Sequence, residues 1–346
     1  QAIEKYPEKK IYLLSHMIHN QIVNNDLQEN GISFIMDTEG NQLIPWEHVN
    51  KNDIVIIPAF GTSLDILKIL KNKQINTEKF NTTCPFVSKV WNRSKKIANE
   101  GYTIVIYGTA NHEETRSTFS RAKKYGPTII VENLNDVHVL CKFMKGEENI
   151  LDTSKKFKHK YSQDFNMKDH LKRIGVVNQT TMLASDTQNI IDLFSKTLKS
   201  IHATNDITQY LANTRDTLCY ATNENQESTM QLLKYDVDLA IVAGGYNSSN
   251  TTHLVELISK NLPTFFINSE KKISLKNSIT HFNIKTKKEI QTSGWLPQKK
   301  CKIILTSGAS CPDIVLENII RKIAHIKNEN IDEKKSIKKF ELKYSN

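Results

Sequence analysis

At 346 residues and 38% hydrophobic content, the chain can bury one large core or two to three smaller ones. No apolar run approaches the roughly 18–20 residues of a membrane-spanning helix, and five cysteines without a Cys-x-x-Cys pair exclude a zinc ribbon and a disulfide scaffold. The net charge of +10 comes from 41 lysines and six arginines beside 33 asparagines. Nucleic-acid sites favour clustered Arg with interleaved aromatics, so this charge reads as solvated surface and the bias of an AT-rich genome.

In chain order, Gln1 to Lys10 reads as the end of a helix. Strands are expected at Ile11–Leu14, leading to His19-Asn20, at Ile32–Met36, and at Asp53–Ile57, leading to Ala59-Phe60-Gly61-Thr62-Ser63. A second passage opens at Asn81-Thr-Thr-Cys84, with a helix over Pro85–Glu100. Strands follow at Tyr102–Tyr107, leading to Asn111-His112, at Thr128–Val131, and before Asn178-Gln-Thr-Thr181. Between Met144 and Leu171 lies a Lys-rich stretch that reads as a surface insertion with a helix of its own. From Asp216-Thr-Leu-Cys219 the order recurs: a helix, a strand at Asp238–Ala243 leading to Asn247-Ser-Ser-Asn250, a strand at Thr264–Ile267, and one at Ile303–Leu305 leading to Ser307-Gly-Ala-Ser310.

The expected fold is therefore α/β, with three similar units and mainly parallel sheets: 1–80, 81–200 with an insertion near 145–170, and 201–327, followed by a charged tail over 328–346. Cys84 precedes His112 by 28 residues and Cys219 precedes Ser248 by 29. Counting back from His19 puts a corresponding Cys about ten residues before Gln1. The first unit is thus expected to lack its opening strand, Cys loop and most of a helix.

In parallel α/β sheets ligands gather at the carboxyl ends of strands, where each of these polar clusters lies. Three units around a pseudo-threefold axis would bring His19, His112, Ser248, Ser249, Asn250, Thr180 and Ser310 to one central cavity. Helix starts there would offer N–H groups to an anion, and without a P-loop or Gly-x-Gly-x-x-Gly a diphosphate suits this inventory better than a nucleotide. The alternatives are N-caps for the Ser/Asn clusters and capping or packing roles for the histidines. Three thiolates related by the axis, Cys84 and Cys219 among them, would fit three corners of a cubane cluster and leave one iron open; the alternative is small buried hydrophobes. Cys141 falls on an apolar helix face and Cys301 starts a strand. Cys311 has no counterpart in the other copies. Glu114, beside the anion site, is the candidate acid, with an exposed residue in the string Glu113-Glu114 as its alternative.

These motifs, with Ile18-His-Asn20, Thr82-Thr-Cys-Pro85, Val87-Ser-Lys-Val90, His112-Glu-Glu-Thr115 and Cys219-Tyr-Ala-Thr222, resemble the 4-hydroxy-3-methylbut-2-enyl diphosphate reductases of the non-mevalonate isoprenoid pathway, from about Lys10 to Lys327. The resemblance implies a cloverleaf of three α/β units around a 4Fe-4S cluster held by Cys84, Cys219 and a third Cys upstream of Gln1. It implies that His19, His112, Ser248, Ser249, Asn250 and Ser310 hold the substrate diphosphate, that Glu114 donates a proton and that Thr180 relays it. Many bacterial members have Ala-His-Gly where this chain has Ala59-Phe60-Gly61, which makes Phe60 an apolar wall. The Phe form, Pro85-Phe-Val-Ser-Lys-Val-Trp91 and the insertion resemble the plant and cyanobacterial branch. They imply a plastid stroma, apicoplast or chloroplast, and a ferredoxin-type electron donor that the basic surface would attract. A non-redox diphosphate-binding or hydrolytic enzyme and a cluster-binding regulatory protein are the alternative functions.

Overall fold

A computed structural model describes residues 2–213 and 219–329. The chain divides into two compact units, Gln1–Asn223 and Glu224–Asn346. In the first, α1 (Ala2–Lys5), β1 (Ile11–Leu13), α2 (Gln21–Glu29), β2 (Ser33–Phe34), β3 (Ile54–Ile56) and α3 (Leu64–Asn72) are followed by α4 (Pro85–Asn99), β4 (Thr103–Tyr107), α5 (Glu113–Ala122), β5 (Thr128–Val131) and α6 (Leu134–Met144). Then come α7 (Ile150–Lys156), α8 (Met167–His170), β6 (Ile174–Asn178), α9 (Ala184–His202) and α10 (Tyr220–Leu232), which ends in the second unit. There follow β7 (Leu239–Ala243), α11 (Ser249–Ile258), β8 (Thr264–Ile267), β9 (Ile273–Ser274), β10 (Ser278–Asn283), β11 (Lys288–Ser293), β12 (Ile303–Ser307) and α12 (Asp313–Lys327).

Three of the sheets are parallel and share one topology. Their orders are β2-β1-β3, β5-β4-β6 and β12-β7-β8, so the first strand of each repeated passage is central and the other two flank it. The carboxyl ends of β1, β4 and β7 lead into His19-Asn20, Asn111-His112 and Asn247–Asn250.

The short β-branched runs are strands because both faces are covered. On the second sheet Val105, Ile129, Val131 and Val176 pack against Leu140 of α6 and Phe194 and Leu198 of α9, whereas Ile104, Ile106, Ile130 and Val177 pack on the other side with Val90 and Ile97 of α4. Each such side chain contributes about 1.5–3 kcal/mol by leaving water. The alternation follows the two-residue strand period.

Two features depart from the expected order. Residues 273–293 form an antiparallel sheet, β9-β10-β11, where no strand was expected. Its outer strand is almost wholly exposed, so its polar sequence carries no buried face for a periodicity reading to find. The insertion forms two short helices, α7 and α8, and Tyr161 between them bridges to Ile129 of β5. The tail after Glu329 and the Asp216-Thr-Leu segment before Cys219 lie outside the described residues.

Candidate active site

Helix α5 organises the first unit's site. Its sequence, Glu-Glu-Thr-Arg-Ser-Thr-Phe-Ser-Arg-Ala, is polar, yet Glu113, Glu114, Thr115, Ser117, Thr118 and Ser120 are buried. Such a helix needs internal partners, and it finds them in neighbouring loops. The Arg116 guanidinium donates to the carbonyls of Thr38 and Glu39, Ser117 Oγ donates to Thr62 O at 3.3 Å, and Arg121 also donates to Thr62 O. Arg121 lies 3.6 Å over the Trp91 ring, and burial lowers its pKa to about 10. Gly61, at φ +70°, is required beside that ring, since a Cβ there would sit 2.5 Å from Trp91.

The loop before α5 presents His112, which caps the helix by accepting the Glu114 N–H on Nδ1 at 3.2 Å. That contact leaves Nε2 as the protonated edge of a neutral ring. The loop is held from two sides: Gln179 Oε1 accepts from Thr109 N–H at 3.1 Å, and Glu132 Oε1 accepts from Ala110 N–H at 2.9 Å. Glu132 is ion-paired with Lys160 of the inserted segment, and Lys156 and Lys160 lie 3.3 and 3.8 Å from buried Asp136. His112 meets His19 edge-on at 4.9 Å, and Phe60 packs at 4.4 Å from His19 and 5.5 Å from His112. His19, Phe60 and His112 thus form one ring cluster, in which Phe60 supplies an apolar side. His16 packs on Phe34 instead.

Glu114, only 1% exposed, accepts from Thr180 N–H at 2.6 Å and from the Thr180 hydroxyl at 2.8 Å. Burial pushes its carboxyl from 4.5 up to about 7, although the Thr180 hydrogen bonds and the charge of His19 pull the other way. The exposed-residue alternative for Glu114 is therefore excluded. Thr180 O in turn accepts from Cys219 N–H at 3.3 Å, so acid, hydroxyl and thiol residue follow one another in space.

Cys84 and Cys219 are half-buried free thiols at the starts of α4 and α10. Each carbonyl opens its helix, accepting from Ser88 N–H and Asn223 N–H. Phe86 and Tyr220, just beyond them, meet edge-on at 5.7 Å and set the two turns side by side. Helix starts favour anionic sulfur, so the two residues could serve as thiolate ligands of an iron-sulfur centre. Among the described residues no group of three or more His, Cys, Asp or Glu forms a cation cage. Cys141 is buried in the core, and Cys301 and Cys311 pack against the core of the second unit, where burial pushes the Cys311 thiol up to about 11.

In the second unit Ser248 caps α11, accepting from Thr251 N–H at 3.3 Å. The helix starts at Ser249, so Asn250 lies within its first turn and not ahead of it. Asn250 is 4% exposed, and neither Nδ2 nor Oδ1 has a partner among the described residues. The Nδ2 of such an amide, in the first turn of a helix, is chemically able to donate to an anion. Ser310 follows β12 in the neighbouring turn. Gly308 lets that turn approach the first turn of α11, since a Cβ at Gly308 would fall 2.0 Å from Thr251 Oγ1.

Sequence reading did not single out Glu113, Arg116, Arg121 or Glu132. Polar residues carry no periodic sign of burial, and only the tertiary fold supplies their partners.

The scaffold is parallel α/β, and the relatives it matches, named as reductases, place the chain among the oxidoreductases. The LytB protein model matches residues 1–324, and the chain belongs to the LytB family. The 4-hydroxy-3-methylbut-2-enyl diphosphate reductase of Cyanothece sp. is 37% identical over 327 residues, covering 94% of this chain and 78% of that protein. That of Crocosphaera subtropica is 37% identical over 330 residues, covering 95% and 80%. The solved E-1-hydroxy-2-methyl-but-2-enyl-4-diphosphate reductase from Plasmodium falciparum is similar at TM-score 0.64 and 25% identity, over 93% of this chain and 82% of that one. A second solved structure, of (E)-4-hydroxy-3-methyl-but-2-enyl diphosphate reductase, the terminal enzyme of the non-mevalonate pathway, shares the fold at TM-score 0.54 and 23% identity, over 93% of this chain and 91% of that one. The family match does not favour the non-redox or regulatory alternatives.

Proposed function

We propose that the chain reduces 4-hydroxy-3-methylbut-2-enyl diphosphate to isopentenyl and dimethylallyl diphosphates. The allylic C–O bond breaks with two electrons and two protons; one proton leaves with the oxygen as water and the other goes to the allyl carbon. The single observation that carries this reading is Thr180, bonded through its side chain and N–H to Glu114 and through its carbonyl to Cys219. A carboxyl near 7 is half protonated at neutral pH. Protonated Glu114 donates to Thr180 Oγ1, which turns the Thr180 hydroxyl outward to donate to the substrate hydroxyl. Thr180 then recovers its proton from Glu114 as water departs.

His19 and His112, with Ser248, Ser249, Asn250 and Ser310, would hold the diphosphate, and Phe60 would exclude water from the His19 side. Binding energy at the remote diphosphate would position the reacting carbon. Cys84 and Cys219 would supply two thiolates to a 4Fe-4S cluster, which when bound provides single electrons and a Lewis-acidic iron. The cyanobacterial relatives support a plastid setting, and the +10 charge supports a small acidic ferredoxin as donor. The test is anaerobic iron and sulfide analysis together with product formation from the diphosphate and reduced ferredoxin. Cys84→Ser and Cys219→Ser should lower iron content while Cys141→Ser does not. Protein with full iron content and no product would overturn the reading.

A further inference from the structure

The first unit buries a second carboxylate that the proposed reaction does not use. Glu113 is 5% exposed, and its Oε2 lies 2.8 Å from His19 Nε2. Its Oε1 is buried with no protein partner among the described residues, and the residue borders a cavity of about 230 Å³ with Ser15, Thr62, Ser63, Arg116 and Ser117. The adjacent residues Glu113 and Glu114 thus take different roads: Glu114 to Thr180, Glu113 to a histidine.

A carboxylate only accepts, so the edge of His19 facing Glu113 must be Nε2–H. In a neutral ring Nδ1 is then a lone pair, which repels a phosphate oxygen. Nδ1 becomes a donor only when the ring is doubly protonated. A carboxylate close to a diphosphate would also oppose binding, unless a cation between them cancels its charge. We infer that Glu113 is the counter-ion and positioning residue of His19, holding it as an imidazolium whose Nδ1–H faces the substrate diphosphate; this rests on the diphosphate reading of the site. The other charged or titratable groups facing the pair are His112 and Glu114 at the start of α5, Arg116 one turn on, and His16 from the loop after β1, with Asp37 and Glu39 acting on Arg116 and Asp37 on His16.

The test measures dissociation constants of inorganic pyrophosphate from the anaerobic holoenzyme between pH 6 and 8. The ratio of Glu113→Gln to wild type cancels titration of pyrophosphate itself. That ratio should lie near one at pH 6 and climb to about tenfold or more at pH 8, as the variant's His19 loses its second proton. Glu113→Asp keeps the charge and should give a much flatter ratio. In a His19→Asn background Glu113→Gln should produce no slope. A ratio that is flat with pH, or a slope that persists without His19, overturns the inference while leaving the diphosphate site standing. Failure of pyrophosphate to bind wild type removes both.

Discussion

Replacing Glu114 by Gln separates the acid from its scaffold. The amide oxygen can take the Thr180 N–H, and the amide NH2 can donate to Thr180 Oγ1, so contacts of 2.6 and 2.8 Å survive without a transferable proton. Turnover should fall by about 10²–10⁴, the usual worth of a positioned general acid. Stability should change in the opposite direction. The interval from 4.5 to about 7 corresponds to about 3 kcal/mol. Because the folded value is the raised one, this contribution is fully present below about pH 4.5 and is lost as the pH rises through about 7. Gln does not titrate, so relative to wild type the variant should gain up to about 3 kcal/mol between about pH 5 and pH 8. Single-turnover kinetics and urea unfolding at both pH values measure the two effects. Undiminished turnover with substrate bound would remove Glu114 from the proton path, and a stability difference that is constant with pH would refute the buried neutral acid.

Two further substitutions probe the scaffold. Asn250→Ala should raise the KM for the diphosphate by about one to two orders of magnitude, the worth of a charge-assisted hydrogen bond. Its melting temperature should hold or rise, because both amide atoms lack partners among the described residues; steady-state kinetics and calorimetry separate the two. Gly61→Ala should destabilise the fold by about 1–3 kcal/mol, from a positive φ and a Cβ placed against Trp91. Thermal unfolding measures that loss, and an unchanged melting temperature would contradict the packing around Arg121.

The three parallel sheets were legible because runs such as Thr103–Tyr107 and Leu239–Ala243 are β-branched, short and followed each time by the same kind of polar cluster. The repeat carried more than periodicity could: it marked Cys84 and Cys219 out of five cysteines, and the remaining three pack into cores. Glu114 was legible by position, but its raised pKa comes from burial by the tertiary fold, against the opposing hydrogen bonds of Thr180, 66 residues further along the chain. Glu113 was read only as part of a charged string. Nothing local distinguishes a carboxylate that faces water from one that faces a histidine 94 residues away. The outer strand β11 was missed for the complementary reason, since an exposed strand has no buried face to record, and β9 and β10 bury only Ile273, Ser278 and Ile279.

Glu132 divides its two oxygens between the Ala110 N–H, in the loop that carries His112, and Lys160 of the segment that follows α7. Lys160 also gives its carbonyl to Ile130 N–H at 2.7 Å, which anchors that segment along β5. The insertion is therefore two regions with different freedom to vary. Its outer part, up to the exposed Leu151 and Asp152, can change length or composition at little cost, whereas Thr153 and Phe157 of the α7 turn are fully buried. The stretch from Lys160 to Ser162 is a structural margin of the loop that carries His112, where a deletion would remove the brace on that loop.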